Sequence, residues 1–477
     1  MAATLAGAQN QALLRVLPVW KTTSIFVRER EAGVPPIQIA LDQAIDSYAL
    51  RLRKLGAHHP VHVAATSLGL NSLSQNQIAS QMRAKGGKLT RLLDLWHRVG
   101  PVEDSALIIE PPWVPRLIEH SRVDRKCYGV PKDQAAIEHE ALVKKIFNEE
   151  PEQLVLYSDG SQMQLEGGAD DRGIVAGGGW CLFSKEKVVS EASIGLGAFV
   201  EVYDAEAIAL QAGVEVAIAT ATLRGVRHIW AFVDNQAIVA ASLTDSLSTS
   251  PATFRKLQDQ VKAWLETDSG NVFHLHWVPA HFEIEGNEHA DKLAKMGCYE
   301  QSPRVEHTFS HAKRLVRERN IGAWRDQAEL ATTAMRNAMP RSAYSYGDTD
   351  IASFRAPVTL NWPRKYLAAL LQARTGHGDF AEYHVRFGAP ERARDCHLCN
   401  AAPTSRLHLL ECPMLRSFQH RLLVDPEGKR LTPQAVLEHP AAFLAYAIET
   451  GAFARQPPPE DETSSESGSV SSTSSSR

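Results

Sequence analysis

Four acidic residues of this 477-residue chain could together hold cations and cleave a phosphate ester: Asp159, Glu206, Asp234 and Asp291. Two of them follow runs of strand-forming residues, and the other two lie on predicted helices. Strand ends and helix starts of an α/β sheet gather at one rim, which is where such folds place their chemistry. Clustered carboxylates repel one another unless cations neutralise them, and oxygen ligands suit Mg²⁺ and Mn²⁺. Two such ions, about 3.5–4 Å apart, form a clamp for in-line phosphodiester cleavage.

Each of these acids, taken alone, has an ordinary structural explanation. A carboxylate in the first turn of a helix, as at Glu206, is often a cap or a partner of the helix dipole. Asp234 and Asn235 could equally form an Asx turn. The order of all four acids along the chain, rather than any single position, therefore favours a metal site.

A second group of metal-ligating residues has the spacing Cys396-x2-Cys399-x8-His408-x3-Cys412. Three thiols and one imidazole form a sound tetrahedral Zn²⁺ site in a reducing compartment. The first pair has the separation of a zinc knuckle, whereas the long central spacing does not match the short retroviral form. The sequence favours a structural zinc and leaves open three reduced cysteines in a small helical core.

The acidic residues lie in a segment, residues 151–300, whose pattern mixes strands and helices. The predicted order is βββ-α-β-α-α-β-α. The strands are predicted at 154–157, 174–183, 188–196, 228–233 and 272–278, and the helices include 205–223, 254–265 and 285–296. This order predicts an α/β fold, a mixed five-stranded sheet with flanking helices.

Four short blocks in this segment resemble type 1 ribonuclease H. They are Asp159-Gly160-Ser161 after a strand, Ala205-Glu206-Ala207 opening a helix, Val233-Asp234-Asn235 after a strand, and HWVPAHFEIEGNEHADKLAK at 276–295. The last block is the most specific, because His281 precedes Asp291 by the ten residues expected of the family. The resemblance covers about 150 of the 477 residues and implies a ribonuclease H-like sheet.

The resemblance implies an endonuclease that hydrolyses the RNA strand of RNA–DNA hybrids with two Mg²⁺, for which Mn²⁺ may substitute. The residues it implies for catalysis are Asp159, Glu206, Asp234 and Asp291 as metal ligands, with His281 as a mobile proton carrier. Ser161 and Asn235 would reach the phosphate backbone of the substrate. One departure concerns residues 202–204, Val-Tyr-Asp, where cellular members of the family carry polar residues that read the RNA 2′-hydroxyl.

Composition excludes several other classes of protein. Hydrophobic residues make up 44% of the chain and charged residues 22%, which excludes a chain disordered throughout, a collagen-like repeat and a disulfide scaffold. The sequence shows neither a secretory signal nor 18 near-uninterrupted apolar residues. We therefore expect an intracellular protein with no membrane contact and no small-molecule cofactor. The segment 152–300 has about twice as many acidic as basic residues, whereas its flanks are mildly basic and could contact phosphates.

The flanks divide the chain into four predicted parts. Residues 1–150 are read as helices with a connector, 151–300 as the ribonuclease H domain, 301–455 as a helical region with the small Cys/His module, and 456–477 as a disordered Ser-rich tail. This order resembles the C-terminal part of fungal non-LTR retrotransposon polyproteins, in which residues 1–150 would follow the reverse transcriptase palm and thumb. The resemblance implies a retroelement protein that binds nucleic acid and does not itself synthesise DNA.

Two other functions stay open on the sequence. The first is a non-catalytic nucleic-acid-binding remnant of such an element, although the presence of all four carboxylates argues against it. The second is a DNA-acting nuclease or integrase of the wider ribonuclease H-like superfamily. Enzymes of that second class also end on an acidic helix, but they lack the loop-and-helix pattern that runs from His281 to Asp291 in this chain.

Overall fold

A computed structural model describes most of the chain. The described residues are 2–53, 55, 59–60, 63, 99–103, 117, 120–127, 129–149, 152–165, 173–244, 250–338, 357–400 and 403–454. The predicted disordered tail, 456–477, lies outside them. The chain divides into two compact units, Gln43–Glu318 and, together, Met1–Asp42 with Arg319–Arg477. The four-part division expected from the sequence stays a prediction.

The described helices and strands alternate along the chain. The helices are α1 (Ala2–Val16), α2 (Ile25–Ala32), α3 (Ile37–Arg53), α4 (Lys132–Asn148), α5 (Val202–Arg224), α6 (Gln236–Ser242), α7 (Pro251–Thr267), α8 (Glu285–Gly297), α9 (Phe309–Ala338), α10 (Arg364–Thr375), α11 (Ala381–Arg386), α12 (His408–Glu411), α13 (Arg416–Leu422), α14 (Pro433–Val436) and α15 (Pro440–Thr450). The strands are β1 (Val123–Lys126), β2 (Leu154–Gln164), β3 (Ile174–Ser184), β4 (Lys187–Gly197), β5 (His228–Val233) and β6 (Val272–Trp277).

The unit Gln43–Glu318 is built on one mixed sheet with the strand order β1-β6-β5-β2-β3-β4. Strands β2, β3 and β4 pair antiparallel, whereas β1, β6, β5 and β2 are parallel neighbours. Tyr157 pairs with Phe232 at the end of the parallel β2–β5 ladder, and Asp159 and Asp234 each stand two residues further on. The register therefore brings these two carboxylates to the same edge of the sheet.

Helices cover both faces of this sheet because each face is apolar or small. On one face, α5 and α7 bury a core that includes Leu210, Val214 and Val261. On the other, α4 and α8 pack against Val155, Tyr157 and other core residues. Helix α5 is long and apolar enough to cross a membrane by length and composition alone. Its buried residues pack instead into the core of this α/β unit.

Glycines allow the helices that carry acidic residues to lie directly on the strands. A Cβ on Gly179 of β3 would stand 2.2 Å from the backbone nitrogen of Ala294 in α8. A Cβ on Gly160 of β2 would stand 2.3 Å from the backbone nitrogen of Glu206 in α5. Real side chains do not tolerate such distances, so these positions require glycine. Close packing on β2 thus positions Glu206, and close packing on β3 positions the helix that carries Asp291.

The second unit is helical in its described residues. Helices α10, α13 and α15 surround a core that includes Leu370, Phe443 and Tyr446. Leu13 and Leu17, in and just after α1, pack with Leu367 and Leu371 of α10. The small module that contains Cys396 and Cys412 lies in this unit.

The predicted mixed sheet with flanking helices is confirmed, with one strand more than the five expected. The additional strand is β1, which pairs in parallel with β6 at the sheet edge. Three of its four side chains are exposed, so its sequence, Val-Asp-Arg-Lys, needs no alternation of apolar and polar residues. The sequence pattern therefore did not predict this strand. The first predicted strand also runs further than expected, to Gln164, because it pairs with β3 along its whole length.

Candidate active site

The four acidic residues singled out by sequence lie on elements that meet at one edge of the sheet. Asp159 is in β2, Asp234 directly follows β5, Glu206 is in the first turns of α5, and Asp291 is in α8. Asp159 and Glu206 are buried, with 8% and 7% of their surface exposed. The structure therefore brings together the four carboxylates that the sequence pattern had grouped.

The electrostatics show how closely these carboxylates interact. Burial raises the pKa of Asp159 to about 7, and the negative charges of Asp234 and Asp291 contribute to the increase. Burial likewise raises the pKa of Glu206 to about 8, with further contributions from Asp159 and Asp234. The pKa of Asp234 is also raised, first by burial and also by Asp291. Like charges in a poorly solvated place each favour the protonated form of the others.

Hydrogen bonds and one cation offset part of this repulsion. The Asn287 amide donates to Asp234 Oδ2 at 3.3 Å. Lys295 Nζ contacts Asp291 Oδ2 at 2.6 Å, one helical turn away on α8. Glu206 Oε2, by contrast, is buried with no hydrogen-bond partner in the part of the chain that the structure describes. An unsatisfied buried carboxylate oxygen is costly unless a cation neutralises it. The donor set, which is oxygen alone, fits a hard divalent cation.

His281 lies in the exposed turn between β6 and α8. Its φ is 63°, in the left-handed region that residues other than glycine rarely adopt. It is close enough to Asp234 to offset part of the rise that burial causes in the pKa of that carboxyl. The turn therefore presents an imidazole beside the carboxylates.

Ser161 and Asn235, the residues expected to contact substrate, lie next to the acids. Ser161 is two residues beyond Asp159 on β2 and so shares its face of the sheet. Asn235 caps α6, because its Oδ1 accepts a hydrogen bond from the N–H of Ala237 at 2.9 Å. A hydrogen bond from its side chain offsets part of the rise that burial causes in the pKa of Glu206. The Asx turn considered from sequence is thus present, and contact with substrate stays a prediction for both residues.

Two further acids hold the start of α5 in place, and the sequence pattern alone did not single them out for that role. Glu201, just before α5, accepts from Arg314 Nε at 2.6 Å and contacts His311 Nδ1 at 3.0 Å. Burial raises its pKa, but these two partners outweigh burial and bring it to about 2. Asp204 is fully buried and accepts hydrogen bonds from Ser250 and Ser310. Asp204 therefore anchors the helix that carries Glu206.

Comparison with known proteins gives one match to a sequence family. Residues 167–297 match a family described as reverse transcriptase-like, and the match covers about a quarter of the chain. These residues lie within the α/β unit Gln43–Glu318. No curated protein sequence matched the chain.

Among solved structures, three similar chains illustrate the range of the matches. Prototype foamy virus protease–reverse transcriptase is 21% identical and has a TM-score of 0.25; the match covers 32% of this chain and 21% of the viral one. Ribonuclease H1 from the archaeon Halobacterium salinarum is 24% identical and has a TM-score of 0.22; the match covers 30% of this chain and 96% of that chain. The isolated foamy virus ribonuclease H domain is 19% identical, with a TM-score of 0.24 and coverages of 31% and 95%. This chain thus spans about a fifth of the longer viral protein.

The predicted Cys/His residues also come together, in the helical unit. The ligand atoms of Cys396, Cys399, His408 and Cys412 all lie within 4.8 Å of one another. The Sγ atoms of Cys396 and Cys412 are 3.9 Å apart, and Cys399 Sγ is 3.3 Å from His408 Nε2. In a tetrahedral zinc site, two sulfur ligands stand about 3.8 Å apart. The four side chains therefore form a candidate metal site of three thiols and one imidazole.

The raised pKa values of Asp159 and Glu206 predict an unusual pH dependence of stability without metal. The pKa values of Asp159 and Glu206 are about 7 and about 8 in the folded chain but near 4 in the unfolded chain. Between these pH values the native state therefore binds more protons than the unfolded state. The free energy of unfolding should therefore fall as pH rises from about 5 to 8.5, by up to about 1.4 kcal/mol per pH unit for each such group.

Urea unfolding of the full chain in chelator, followed by tryptophan fluorescence at several pH values, measures this slope. Saturating Mg²⁺ should flatten the profile, because bound cations replace the protons. A metal-free stability that rises with pH over this range would contradict the clustered-carboxylate geometry.

Proposed function

We propose that the ribonuclease H-like domain is a nuclease that cleaves the RNA strand of RNA–DNA hybrids with two divalent metal ions. The observation that carries this proposal is the convergence of four carboxylates, each on a different element, at one edge of the sheet. The match to a reverse transcriptase-like family supports a nucleic-acid substrate. The four metal ligands would be Asp159, Glu206, Asp234 and Asp291.

The cations proposed for this site are two Mg²⁺, or Mn²⁺ in their place. When bound, such ions supply an activated water and neutralise charge on the leaving oxygen of a phosphodiester. Their binding would favour the ionised forms of Asp159 and Glu206, whose pKa values burial otherwise raises. Glu206 Oε2, which has no hydrogen-bond partner among the described residues, would become a ligand of the ion.

The remaining roles belong to side chains beside the carboxylates. His281 is exposed on its turn, so it can accept a proton from product or donate one to it. Asn287 holds the Asp234 carboxylate by donating to Oδ2. Ser161 and Asn235 would contact the phosphate backbone of the substrate. The products would carry 5′-phosphate and 3′-hydroxyl ends.

The decisive experiment compares four labelled substrates with the full chain in Mg²⁺: an RNA–DNA hybrid, double-stranded RNA, double-stranded DNA and single-stranded RNA. We expect internal cleavage of the hybrid's RNA strand and little cleavage of the other three. Preferential cleavage of double-stranded DNA would point to an integrase-like enzyme. Binding of the hybrid in a gel shift without Mg²⁺-dependent cleavage would indicate a non-catalytic remnant. Either result would overturn the proposal.

We also propose that Cys396, Cys399, His408 and Cys412 hold a structural Zn²⁺ in a module that contacts nucleic acid. Cys396 and Cys412 are fully buried, so a bound ion would cross-link the two ends of the module. Together with the family match, this second metal site supports an origin in a retroelement protein.

Replacement of one zinc ligand should release the ion and destabilise the helical unit. Cys396→Ser is expected to lose one equivalent of Zn²⁺ and to unfold at a temperature several degrees lower, because structural zinc contributes directly to folding free energy. Metal content and differential scanning calorimetry measure both effects. Cys127→Ser is the matched control, since that cysteine is exposed and lies outside the cluster. Full retention of zinc by Cys396→Ser would exclude this ligand set.

A further inference from the structure

A second cluster of metal-ligating side chains lies in the α/β unit, apart from the four carboxylates. Asp124 of β1 and His274 and His276 of β6 bring their ligand atoms within 4.8 Å of one another. Asp124 Oδ2 is 2.7 Å from His276 Nε2 and 3.4 Å from His274 Nδ1. The sequence pattern did not group these three residues.

The sheet itself creates this convergence. Strands β1 and β6 pair in parallel with Asp124 opposite His274. His274 and His276 are two residues apart on one strand, so they project from the same face. Asp124 joins them from the neighbouring strand although it lies about 150 residues earlier in the chain. Because regular backbone fixes all three, the cluster is preorganised.

Neighbouring rings pack around the two imidazoles. Burial lowers the pKa of His274 to about 4 and also lowers the pKa of His276. The Trp230 ring stacks on His274 with a centroid distance of 3.5 Å and an interplanar angle of 2°. His228 Nδ1 lies 3.4 Å from His274 Nε2, the nitrogen that faces away from Asp124. The far nitrogen of the other ring, His276 Nδ1, is buried with no hydrogen-bond partner among the described residues.

We propose that Asp124, His274 and His276 form a site for a divalent transition metal of the Zn²⁺ and Co²⁺ class. Two imidazoles and one carboxylate suit these ions, whereas Mg²⁺ prefers oxygen ligands alone. In a tetrahedral site the nitrogen and oxygen ligands stand about 3.3 Å apart, close to the observed 3.4 Å. The shorter contact, at 2.7 Å, opens by a small outward shift of the Asp124 side chain, which is 53% exposed. Solvent can supply the fourth ligand from that side.

An ion at this position would fasten the edge strand to the sheet. Strand β1 has four residues, three of them exposed, so its own packing contributes little to its attachment. A metal ligated from both strands would add metal–ligand bonds between Asp124 and β6 to the hydrogen bonds that already pair β1 with β6. The site is therefore structural in its consequence and independent of cleavage chemistry.

Cobalt binding to the full chain tests the proposal. The protein is stripped with chelator, placed in excess Mg²⁺ to occupy the carboxylates, and titrated with Co²⁺. We expect two equivalents to bind: one with thiolate-to-cobalt charge-transfer absorption, from the Cys/His module, and one without it. The second should also quench Trp230 fluorescence, and Trp230→Phe should remove that quenching without changing the stoichiometry.

Variants separate the proposed ligands from general effects. Asp124→Ala and His276→Gln should each weaken binding of the thiolate-free equivalent by at least about 100-fold. His420→Gln removes an exposed histidine elsewhere and should leave it unchanged. A single Co²⁺ equivalent in the unmodified chain, always accompanied by charge transfer, would overturn the proposal. Equal affinity in Asp124→Ala and His420→Gln would do the same, and would leave the cluster as a hydrogen-bonded network only.

Discussion

Replacement of either central carboxylate by an amide is expected to abolish cleavage and yet stabilise the metal-free protein. Asp159→Asn and Asp234→Asn should each lower the rate of hybrid cleavage by on the order of 10³-fold, the loss typical of removing one group from a preorganised electrostatic site. Both amides fit the space of the carboxylates, so the fold should be retained. Initial rates in saturating Mg²⁺ measure this loss.

The accompanying gain in stability follows from the same charges. Asp159 is buried beside two other acids that raise its pKa, so its ionised form is unfavourable without a cation. An amide removes this repulsion and should raise the melting temperature in chelator by several degrees, with about 1 kcal/mol corresponding to 2–4 °C in a unit of this size. Mg²⁺ should reverse the order, because only the unmodified chain can bind it fully.

Asp268 provides the matched control for these two changes. It is on the surface, where Arg227 pairs with it at 3.2 Å and the Gly270 N–H donates to it. Asp268→Asn should leave cleavage unchanged and should not stabilise the metal-free chain. A metal-free melting temperature that drops in both Asp159→Asn and Asp234→Asn would show that these carboxylates do not repel one another.

A single methyl group at Gly160 is the second change with a large expected effect. Gly160→Ala would place a Cβ 2.3 Å from the backbone nitrogen of Glu206 and 2.8 Å from its Cγ. The first turn of α5 must then move away from β2, because backbone atoms cannot yield as a flexible side chain can. We expect a loss of about 1–3 kcal/mol in stability and at least about 100-fold in cleavage rate, since small displacements of catalytic groups are costly.

The contrast with another glycine makes this prediction specific. Gly129 has no heavy atom within 4 Å of the position that a Cβ would occupy, so Gly129→Ala should be neutral in both measurements. Urea unfolding and initial rates are compared for the two variants side by side. If Gly160→Ala kept full activity, Glu206 would not need its observed position.

Much of the mixed sheet and of its helices could be predicted because these elements have strong local signals. The strand 228–233 was predicted with the bounds that β5 has, since it is a short apolar run between turns. Helix α5 follows from a long Ala-rich stretch with few breaks. Asp159, Glu206 and Asp234 could be grouped because each stands at an end of a predicted element, and Asp291 because it follows His281 by ten residues. The convergence of Asp159 and Asp234 required only that β2 and β5 be parallel neighbours.

Features that depend on distant pairing could not be predicted in this way. Strand β1 has a polar sequence, and only its register with β6 makes it a strand. The cluster of Asp124 with His274 and His276 depends on that register, so it was not expected. The support of Glu201 by Arg314 likewise joins residues more than 100 positions apart. Local patterns carry no information on such contacts.

The position of β1 has a consequence for where the sheet-containing part of the chain can be cut from the rest. A truncated protein beginning at residue 152 would resemble an isolated ribonuclease H in length, but it would lack β1. The outer backbone N–H and C=O groups of β6 would then be unpaired, and bare strand edges recruit other chains into intermolecular sheets. Such a truncation should therefore aggregate, whereas one that begins upstream of Arg122 keeps the edge covered.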